Sequence, residues 1–312
     1  MGEPLVGAGG WGYFGGGLES YTHAFRFVEV NANFYRPVPE PYARRWRARA
    51  PAGFTFAVKA FRGISHVDRL RASGPARRAF AHDVQIAKIL DAPFLVLETP
   101  PDLPLEADQV RGLADLLALV DDGPRIGLEA RAHRRGALPP AAQAAMEDLG
   151  VLDVVDLSQA RPRVASDTVY TRLFGPGPHN VYEFDDDELR AIDRASGDAV
   201  RAAFTFHGVR MYKDAARFTA FKRTGSFPPA TSARGLASLE EVLRPDARFP
   251  ATRDTLVQDH GWKVVDADER TRIHAAAILA TLPGRSFRDL DEVLAELRKV
   301  ETGQSNYGGP SF

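Results

Sequence analysis

The sequence predicts an α/β protein built as a TIM-type (β/α)8 barrel, regular or irregular, with a short helical C-terminal extension. Its 312 residues accommodate one barrel of about 250 residues and a small appendix. Eight short β-branched or aromatic runs recur with room for a crossover helix between most of them, which is typical of parallel βα units. The structural alternative is an open Rossmann-type sheet, which usually needs about five to seven strands.

The elements follow in order along the chain. The predicted strands cover residues 4–8, 25–30, 54–60, 94–97, 125–128, 153–157, 168–173 and 201–207. The predicted barrel helices cover residues 40–49, 74–90, 107–120, 140–149, 187–196 and 214–222. Further helices are predicted at 239–243, 252–260, 267–282 and 290–300. The domain prediction is a barrel at 1–223, a turn-rich linker at 224–238, a helical extension at 239–301 and a flexible tail at 302–312.

Composition excludes several classes of protein. The 44% hydrophobic and 26% charged residues are those of an ordinary globular protein. Cysteine is absent, which excludes disulfides, thiol nucleophiles and cysteine-ligated zinc. No apolar run approaches the roughly 20 residues of a membrane span. The first residues lack a basic patch followed by an apolar stretch, so we expect no secretory signal, no membrane partner and a cytoplasmic location.

Alternation within the strands places polar groups at one end of the barrel. In residues 54–59, Phe54, Phe56 and Val58 share one face, and Lys59 lies on the other at the end of the strand. Active sites of TIM barrels lie at the carboxyl ends of the strands, so we expect these polar groups to form one cup. The residues assigned to the cup are Glu29, Asn31, Lys59, Glu129, Arg131, Asp156, Arg172 and His207.

A local charge imbalance lies within residues 31–80. Ten arginines and one lysine stand there against one glutamate and one aspartate, a sum of +9, although the whole chain carries −1. Solvated helix faces explain such a run, since charge runs are usually exposed. The alternative is a basic surface that faces an anionic partner such as nucleic acid or a nucleotide.

Three blocks in order resemble the YecE-like family, a TIM-barrel family of unknown function. They are GAGGWGYF, VEVNANFYR and FAVKAFRGISH. The resemblance covers about residues 4–223 and implies the barrel but no reaction. Glu98 and Phe174 stand where that family usually has glutamine and histidine. The segment from about residue 249 resembles a separate small helical family, also uncharacterised. The recurrent polar positions that match are Glu29, Asn31, Tyr35, Lys59, His66, Glu129, Arg131 and Arg172.

The residue types in the cup predict an enzyme that acts on a small anionic, phosphate-bearing substrate, with hydrolysis of a phosphoester as the leading reaction. Arginine suits bidentate capture of phosphate, and carboxylates beside cations supply acids and bases. The catalytic candidates are Glu29, Glu129, Lys59 and His207. The substrate-binding candidates are Asn31, Tyr35, His66, Arg131, Asp156, Arg172 and Trp11. No cofactor is predicted, and the oligomeric state stays undetermined.

Several alternatives stay open. The cup could be a paired polar plug, since buried ionic networks occur in proteins without a catalytic role. A divalent metal could use Glu29, Glu129, Asp156 and His207, although no HxH or HExxH pattern is present. Trp11 could stack on a substrate or pack over the mouth, and His66 could be structural or transfer a proton. Glu98 and Glu129 could form a glycosidase pair, but the surplus of cations favours an anionic substrate.

Overall fold

Eight parallel strands form the main sheet of the protein. The computed structural model describes residues 3–301. The strands are β1 Leu5–Ala8, β2 Phe27–Val30, β3 Thr55–Lys59, β4 Phe94–Glu98, β5 Arg125–Glu129, β6 Leu152–Asp153, β7 Thr168–Leu173 and β8 Arg201–Phe206. Their order in the sheet is β6-β5-β4-β3-β2-β1-β8-β7, and every ladder is parallel. The predicted TIM-type barrel is therefore confirmed.

One parallel bridge between Val155 and Thr171 brings the two edge strands of the barrel together. The Thr171 hydroxyl donates to the Val155 carbonyl at 2.7 Å and accepts from the Leu157 amide at 3.1 Å. This side-chain pairing replaces part of the main-chain ladder that a regular sixth strand would supply. The barrel is nearly closed, with its irregularity at β6, which was predicted at 153–157.

Helices alternate with the strands, as crossover connections between parallel strands require. They are α1 Gly17–Ala24, α2 Ala32–Tyr35, α3 Glu40–Arg49, α4 Gly74–Ile89, α5 Ala107–Leu117, α6 Pro140–Asp148, α7 Asp186–Ala195 and α8 Met211–Thr224. Ser73 caps α4 by accepting from the Ala76 amide, and Pro75 occupies its first turn. Helices α1 and α2 and a π-helical turn at Gly63–Val67 were not predicted, because each is only four to eight residues long and too short to show a helical period.

The interior of the barrel is filled by alternate residues of the strands. This buried set consists of Phe27, Ala57, Phe94, Val96, Leu152, Val154, Tyr170 and Ala203. Gly127 belongs to the same layer, since a Cβ there would lie 2.7 Å from Val154 Cγ2. Ala57 lies in the interior as the alternation in β3 predicted. Residues two positions apart in a strand point to the same side. The residue two positions after an interior residue therefore also points inward, nearer the carboxyl end of the strand.

A second compact unit contains most of the C-terminal third. Among the described residues it comprises Gly175–Ala191, Gly208–Arg210 and those from Ala220 to 301, whereas the barrel unit comprises those from 3 to Phe174 with Ile192–His207 and Met211–Thr219. Its further helices are α9 Leu236–Leu243, α10 Arg253–His260, α11 Ala275–Leu279 and α12 Leu290–Glu301. Its strands are β9 Ala251–Thr252, β10 Val264–Asp266, β11 Arg272–His274 and β12 Ser286–Phe287.

The C-terminal region is helical as predicted, with two small antiparallel sheets in addition, β10-β11 and β12-β9. The predicted helix at 267–282 is wrong in its first half, and within that range only α11 is helical. Asp268 accepts hydrogen bonds from the Arg270 and Thr271 amides, and this turn folds the chain back into the β10-β11 hairpin. The predicted tail at 302–312 lies outside the described residues. Within residues 3–301, the helices are too short or too polar to cross a membrane.

Candidate functional site

Ionisable side chains follow the interior core residues at the carboxyl ends of the strands. Glu29 comes two positions after Phe27, Lys59 two after Ala57, and Arg172 two after Tyr170. These side chains are buried, as the parity of the strands predicted. We refer to the whole set as the carboxylate–arginine cluster, and it consists of Glu29, Lys59, Glu98, Glu129, Arg131 and Arg172.

Arg172 lies at the centre of the carboxylate–arginine cluster. Its Nε and Nη2 are both 3.2 Å from Glu29 Oε1. Its Nη1 contacts Glu98 Oε2 at 2.6 Å and also pairs with Glu129. The Tyr170 hydroxyl donates to the other oxygen of Glu29 at 2.7 Å. One guanidinium therefore joins carboxylates from β2, β4 and β5, as its fixed fork of donors allows.

Glu98 links the central arginine to two further cations. Its Oε2 lies 2.8 Å from Lys59 Nζ, and its Oε1 lies 3.3 Å from Arg131 Nη1. Lys59 Nζ is also 3.6 Å from the centre of the Phe34 ring. Three carboxylates thus meet three cations. The surplus of cations that the sequence analysis inferred disappears once Glu98 is counted, so the charge balance of the cluster does not itself favour an anion.

The charge states of the cluster follow from this pairing. Although burial opposes ionisation, Arg172 and Lys59 lower the pKa of Glu98 to about 2. Burial also opposes the charge on Arg172, but Glu29, Glu129 and Glu98 raise its pKa above the usual value. Desolvation and the neighbouring Arg172 lower the pKa of Lys59. Glu98 and Arg172 are therefore charged at neutral pH, whereas Lys59 gives up its proton more readily than a surface lysine.

His207 lies deep in the barrel beside the cluster. Its Nε2 is 3.0 Å from Thr205 Oγ1 and 3.5 Å from Glu29 Oε1. The Thr205 hydroxyl donates to the Thr171 carbonyl, so it accepts from His207, and the hydrogen of the ring is on Nε2. Desolvation, with Arg172 and Lys59, lowers the pKa of His207 well below its usual value. The imidazole is neutral and orients Glu29.

The residues that directly follow β1 and β7 lie against the His207 ring. Phe174 stacks on the imidazole with ring centres 4.8 Å apart. A Cβ on Gly9 would lie 2.2 Å from His207 Nδ1 and 2.7 Å from Asn31 Nδ2, so only glycine fits there. Asn31 donates to the Gly9 carbonyl at 2.7 Å. Asn31 thus holds the first βα loop in place.

Asp156 has a different role from the other cup residues. Its Oδ1 accepts from the Ser158 amide at 3.0 Å and from the Ser158 hydroxyl at 2.6 Å. Its Oδ2 accepts from Gln159 and from the Phe174 amide, both at 2.9 Å. The carboxylate therefore caps the turn after β6, which explains why that strand ends early.

The remaining predicted binding residues lie at the periphery. Trp11 packs edge-on against Trp46, with ring centres 5.1 Å apart. Tyr35 is 71% exposed. His66 lies in the π-helical turn, with Nδ1 2.9 Å from Ser65 Oγ, and burial lowers its pKa.

Sequence reasoning undervalued or missed four residues of the site. Glu98 has the same parity as Phe94 and Val96, so the alternation could have assigned it to the cup. Tyr170 resembles an ordinary core aromatic residue of its strand. No sequence pattern distinguishes Phe174 or Arg134, which lie in the segments after β7 and β5. Arg134 lies 5.6 Å from the Phe174 ring centre and 3.9 Å from Asp156 Oδ2.

A cavity of about 20 Å³ lies between β5 and β6 at the carboxyl end. Glu129, Arg131, Arg134 and Asp156 line it. A cavity of this size has room for about one water molecule, and the charged side chains in its lining include partners for one. Carboxylate and guanidinium groups therefore share one small cavity.

The four candidate metal ligands of the cup are held by other partners. In the described part of the chain, Glu29, Glu129, Asp156 and His207 do not form a group with ligand atoms close enough to share an ion. Glu29 and Glu129 pair with Arg172, and Asp156 is used in its turn. Cations in the same cluster compete for the carboxylates, as the sequence analysis expected.

The arginines of residues 31–80 divide into two groups. Arg44 pairs with Glu40, Arg69 with Asp102 and Arg77 with Asp115. Arg47 donates to the carbonyls of residues 50, 51, 54 and 90. Two of the acidic partners come from outside the segment, which local counting could not show. The exposed remainder consists of Arg36, Arg45, Arg49, Arg62, Arg71 and Arg78.

Barrel topology and a polar cluster at the strand ends define the class of protein, a TIM-barrel protein with a charged mouth. Residues 15–224 match the family described as protein of unknown function DUF72. The chain belongs to this family. No curated protein matches the chain.

Solved structures of DUF72 family proteins share the barrel. One from Enterococcus faecalis V583 is 15% identical, with a TM-score of 0.56 over 72% of this chain and 98% of that chain. One from Thermotoga maritima MSB8 is also 15% identical, with a TM-score of 0.57 over 71% of this chain and 100% of that chain. At this identity the likeness establishes the fold alone.

Proposed function

We propose that the barrel is an enzyme that binds a small anionic, phosphate-bearing substrate at the carboxyl ends of its strands and hydrolyses a phosphoester. The observation that carries the proposal is the cavity of about 20 Å³ that Glu129 shares with Arg131 and Arg134. Such a site combines a carboxylate, space for one water and two guanidinium groups, which are the parts that hydrolysis of a phosphoester needs.

The two peripheral arginines are the anion-binding groups of the proposal. Arg131 keeps 35% of its side-chain surface exposed and contacts Glu98 only at 3.3 Å. Arg134 is similarly exposed and lies 3.9 Å from Asp156. Long contacts and partial exposure leave the donors of both guanidinium groups accessible to phosphate oxygens. Arg172, by contrast, is saturated with carboxylates and serves to position them.

The reaction assigns one role to each group. A water in the small cavity loses a proton to Glu129 and attacks phosphorus. The bond from phosphorus to the ester oxygen breaks, and the leaving alcohol takes a proton from the Lys59 ammonium, whose lowered pKa makes it a stronger acid. Glu29 and His207 are both buried and hold the side chains of the cluster in position.

The test measures turnover of bis(p-nitrophenyl) phosphate and p-nitrophenyl phosphate by the full chain, together with binding of inorganic phosphate. We expect Glu129→Gln to lower turnover by roughly 100-fold or more while phosphate binding is retained. Arg131→Ala should weaken phosphate binding by about tenfold. Glu147→Gln, an exposed glutamate on α6, is the matched control and should change neither.

Two results would overturn the proposal. The first is the absence of both hydrolysis and phosphate binding in the wild-type protein. The second is unchanged turnover and binding in Glu129→Gln and Glu29→Gln. In that case the cluster is a paired polar plug that stabilises the barrel.

A second candidate function is non-catalytic binding of nucleic acid or a nucleotide. It rests on the exposed arginines of residues 31–80, six of which make no ion pair within the described chain. Binding of this kind weakens steeply with added salt across nucleic-acid sequences. Arg45→Ala with Arg49→Ala on α3 should then reduce the salt slope by about two. Cytoplasmic location stays a prediction.

A further inference from the structure

A second group of ionisable side chains lies in the C-terminal unit and takes no part in the reaction proposed for the barrel. His274 Nε2 is 3.0 Å from Glu188 Oε2 and 3.7 Å from Asp185 Oδ2. We call Asp185, Glu188 and His274 the carboxylate–histidine cluster. Tyr182 adjoins it, with its hydroxyl 3.1 Å from His274 Nε2 and hydrogen-bonded to Glu188.

Local structure holds each member of the cluster in place. Asp185 and Glu188 form a capping box at the start of α7, in which each side chain accepts from the backbone amide of the other at 2.9 Å. His274 ends β11, and its Nδ1 lies 3.2 Å from the Trp262 carbonyl. A hydrogen on Nδ1 bonded to this carbonyl directs the lone pair of Nε2 at the two carboxylates, the usual arrangement behind a metal-bound histidine.

The geometry points to a divalent transition-metal site, and we propose that Asp185, Glu188 and His274 bind Zn²⁺ or a similar first-row ion. One oxygen or nitrogen from each residue lies within 4.8 Å of the other two. Tetrahedral zinc with bonds of about 2.0–2.1 Å separates its ligand atoms by roughly 3.4 Å. The observed 3.0 Å and 3.7 Å lie on either side of that value.

An adjoining cavity provides a second, independent indication of a ligand. It has a volume of about 1020 Å³ within the C-terminal unit, and Tyr182, His274, His260 and Trp262 are among its lining residues. His260 is buried, and its Nδ1 lies 3.6 Å from Asp246 Oδ1, so a second histidine and a further carboxylate line the same cavity. A metal with three protein ligands keeps a position for water or substrate on the cavity side.

Protons compete with the metal for the same groups. The charged and titratable side chains that face the imidazole are Glu188, Asp185 and Tyr182. His274 Nε2 lies within hydrogen-bond distance of Glu188 Oε2, at 3.0 Å. A divalent cation bound by the three side chains would take the place of a hydrogen at this nitrogen, because the imidazole must be neutral to bind a metal.

The experiment titrates the full chain with ZnCl₂ by calorimetry and with CoCl₂ by visible absorption. We expect one equivalent to bind, with proton release visible in buffers of different ionisation enthalpy and a Co²⁺ spectrum of low coordination number. His274→Gln should weaken binding by roughly 100-fold. His179→Gln is the matched control, since this exposed histidine lines the same cavity outside the cluster and should bind like the wild type.

Either of two results would overturn the assignment. Binding of less than one equivalent by the wild type would do so, as would equal affinity in the wild type and His274→Gln. If His274→Gln does not fold, Asp185→Asn replaces it. Its amide oxygen keeps the bond to the Glu188 amide while the carboxylate charge is lost, and unchanged zinc affinity there would equally contradict the site.

Discussion

The barrel and the C-terminal unit each gather carboxylates around one nitrogen base, with opposite consequences. In the carboxylate–arginine cluster the base is Arg172, which is 2% exposed and always charged. In the carboxylate–histidine cluster the base is His274, which is partly exposed and titratable. The arginine makes a charged network that joins β7 to three other strands. The histidine makes a site that exchanges a proton for another cation. The identity of the central base therefore decides whether the cluster stays charged and structural or can exchange its proton.

The largest effect should come from removing the central base of the barrel. Arg172→Met leaves three buried carboxylates without their shared guanidinium. Breaking a buried ion network by deleting one partner costs about 3–5 kcal/mol. Urea denaturation should therefore show a stability loss of that size or a chain that does not fold. A loss below about 1 kcal/mol would contradict a stabilising role for the network.

Acid should weaken the barrel through Glu98. Its pKa is about 2 in the folded protein and near 4.5 when unfolded. The stability that it contributes is therefore fully present above pH 4.5 and is lost as the pH falls from there through about 2. The contribution is at most about 3 kcal/mol. Thermal melts between pH 6 and 2 should show this loss, and Glu98→Gln should flatten it. Parallel curves for the two proteins would refute the pairing.

The pH dependence of the C-terminal unit should have the opposite sign. The pKa of His274 is raised above its unfolded value, so its contribution is present below about pH 6.5 and disappears as the pH rises through the folded pKa. Because the pair is only partly buried, the effect should be about 1 kcal/mol or less. Melts from pH 6 to 9 compare the wild type with His274→Gln. A steeper fall in stability with pH in the variant than in the wild type would contradict the expected sign of the His274 contribution.

The smallest effect should come from an exposed pair. Arg44 lies 3.0 Å from Glu40 one turn away on α3, with both side chains solvated. Arg44→Met should change the free energy of unfolding by less than about 0.5 kcal/mol. The same urea titration measures it beside Arg172→Met. A large loss there would mean that burial is not what separates the two arginines.

Strand alternation predicted much of the barrel and part of the site. Lys59 and Arg172 were assigned to the interior from parity alone, and both lie there. The same rule applied to β4 would have added Glu98. Asp156 shows where the rule stops, since its parity is right but its oxygens cap a turn. Parity predicts the direction of a side chain, and the neighbours it meets depend on other strands.

The sequence by itself determined the eight strands, their alternation and the polar residue at the end of six of them, because these depend on periods of two residues within one segment. Only the tertiary structure decided which charges meet. Arg172 joins residues 143, 74 and 43 positions away in the chain. Glu188 and His274 are 86 positions apart, on elements whose pairing rests on the turn at Asp268. Such contacts depend on how segments pack, and no local pattern encodes them.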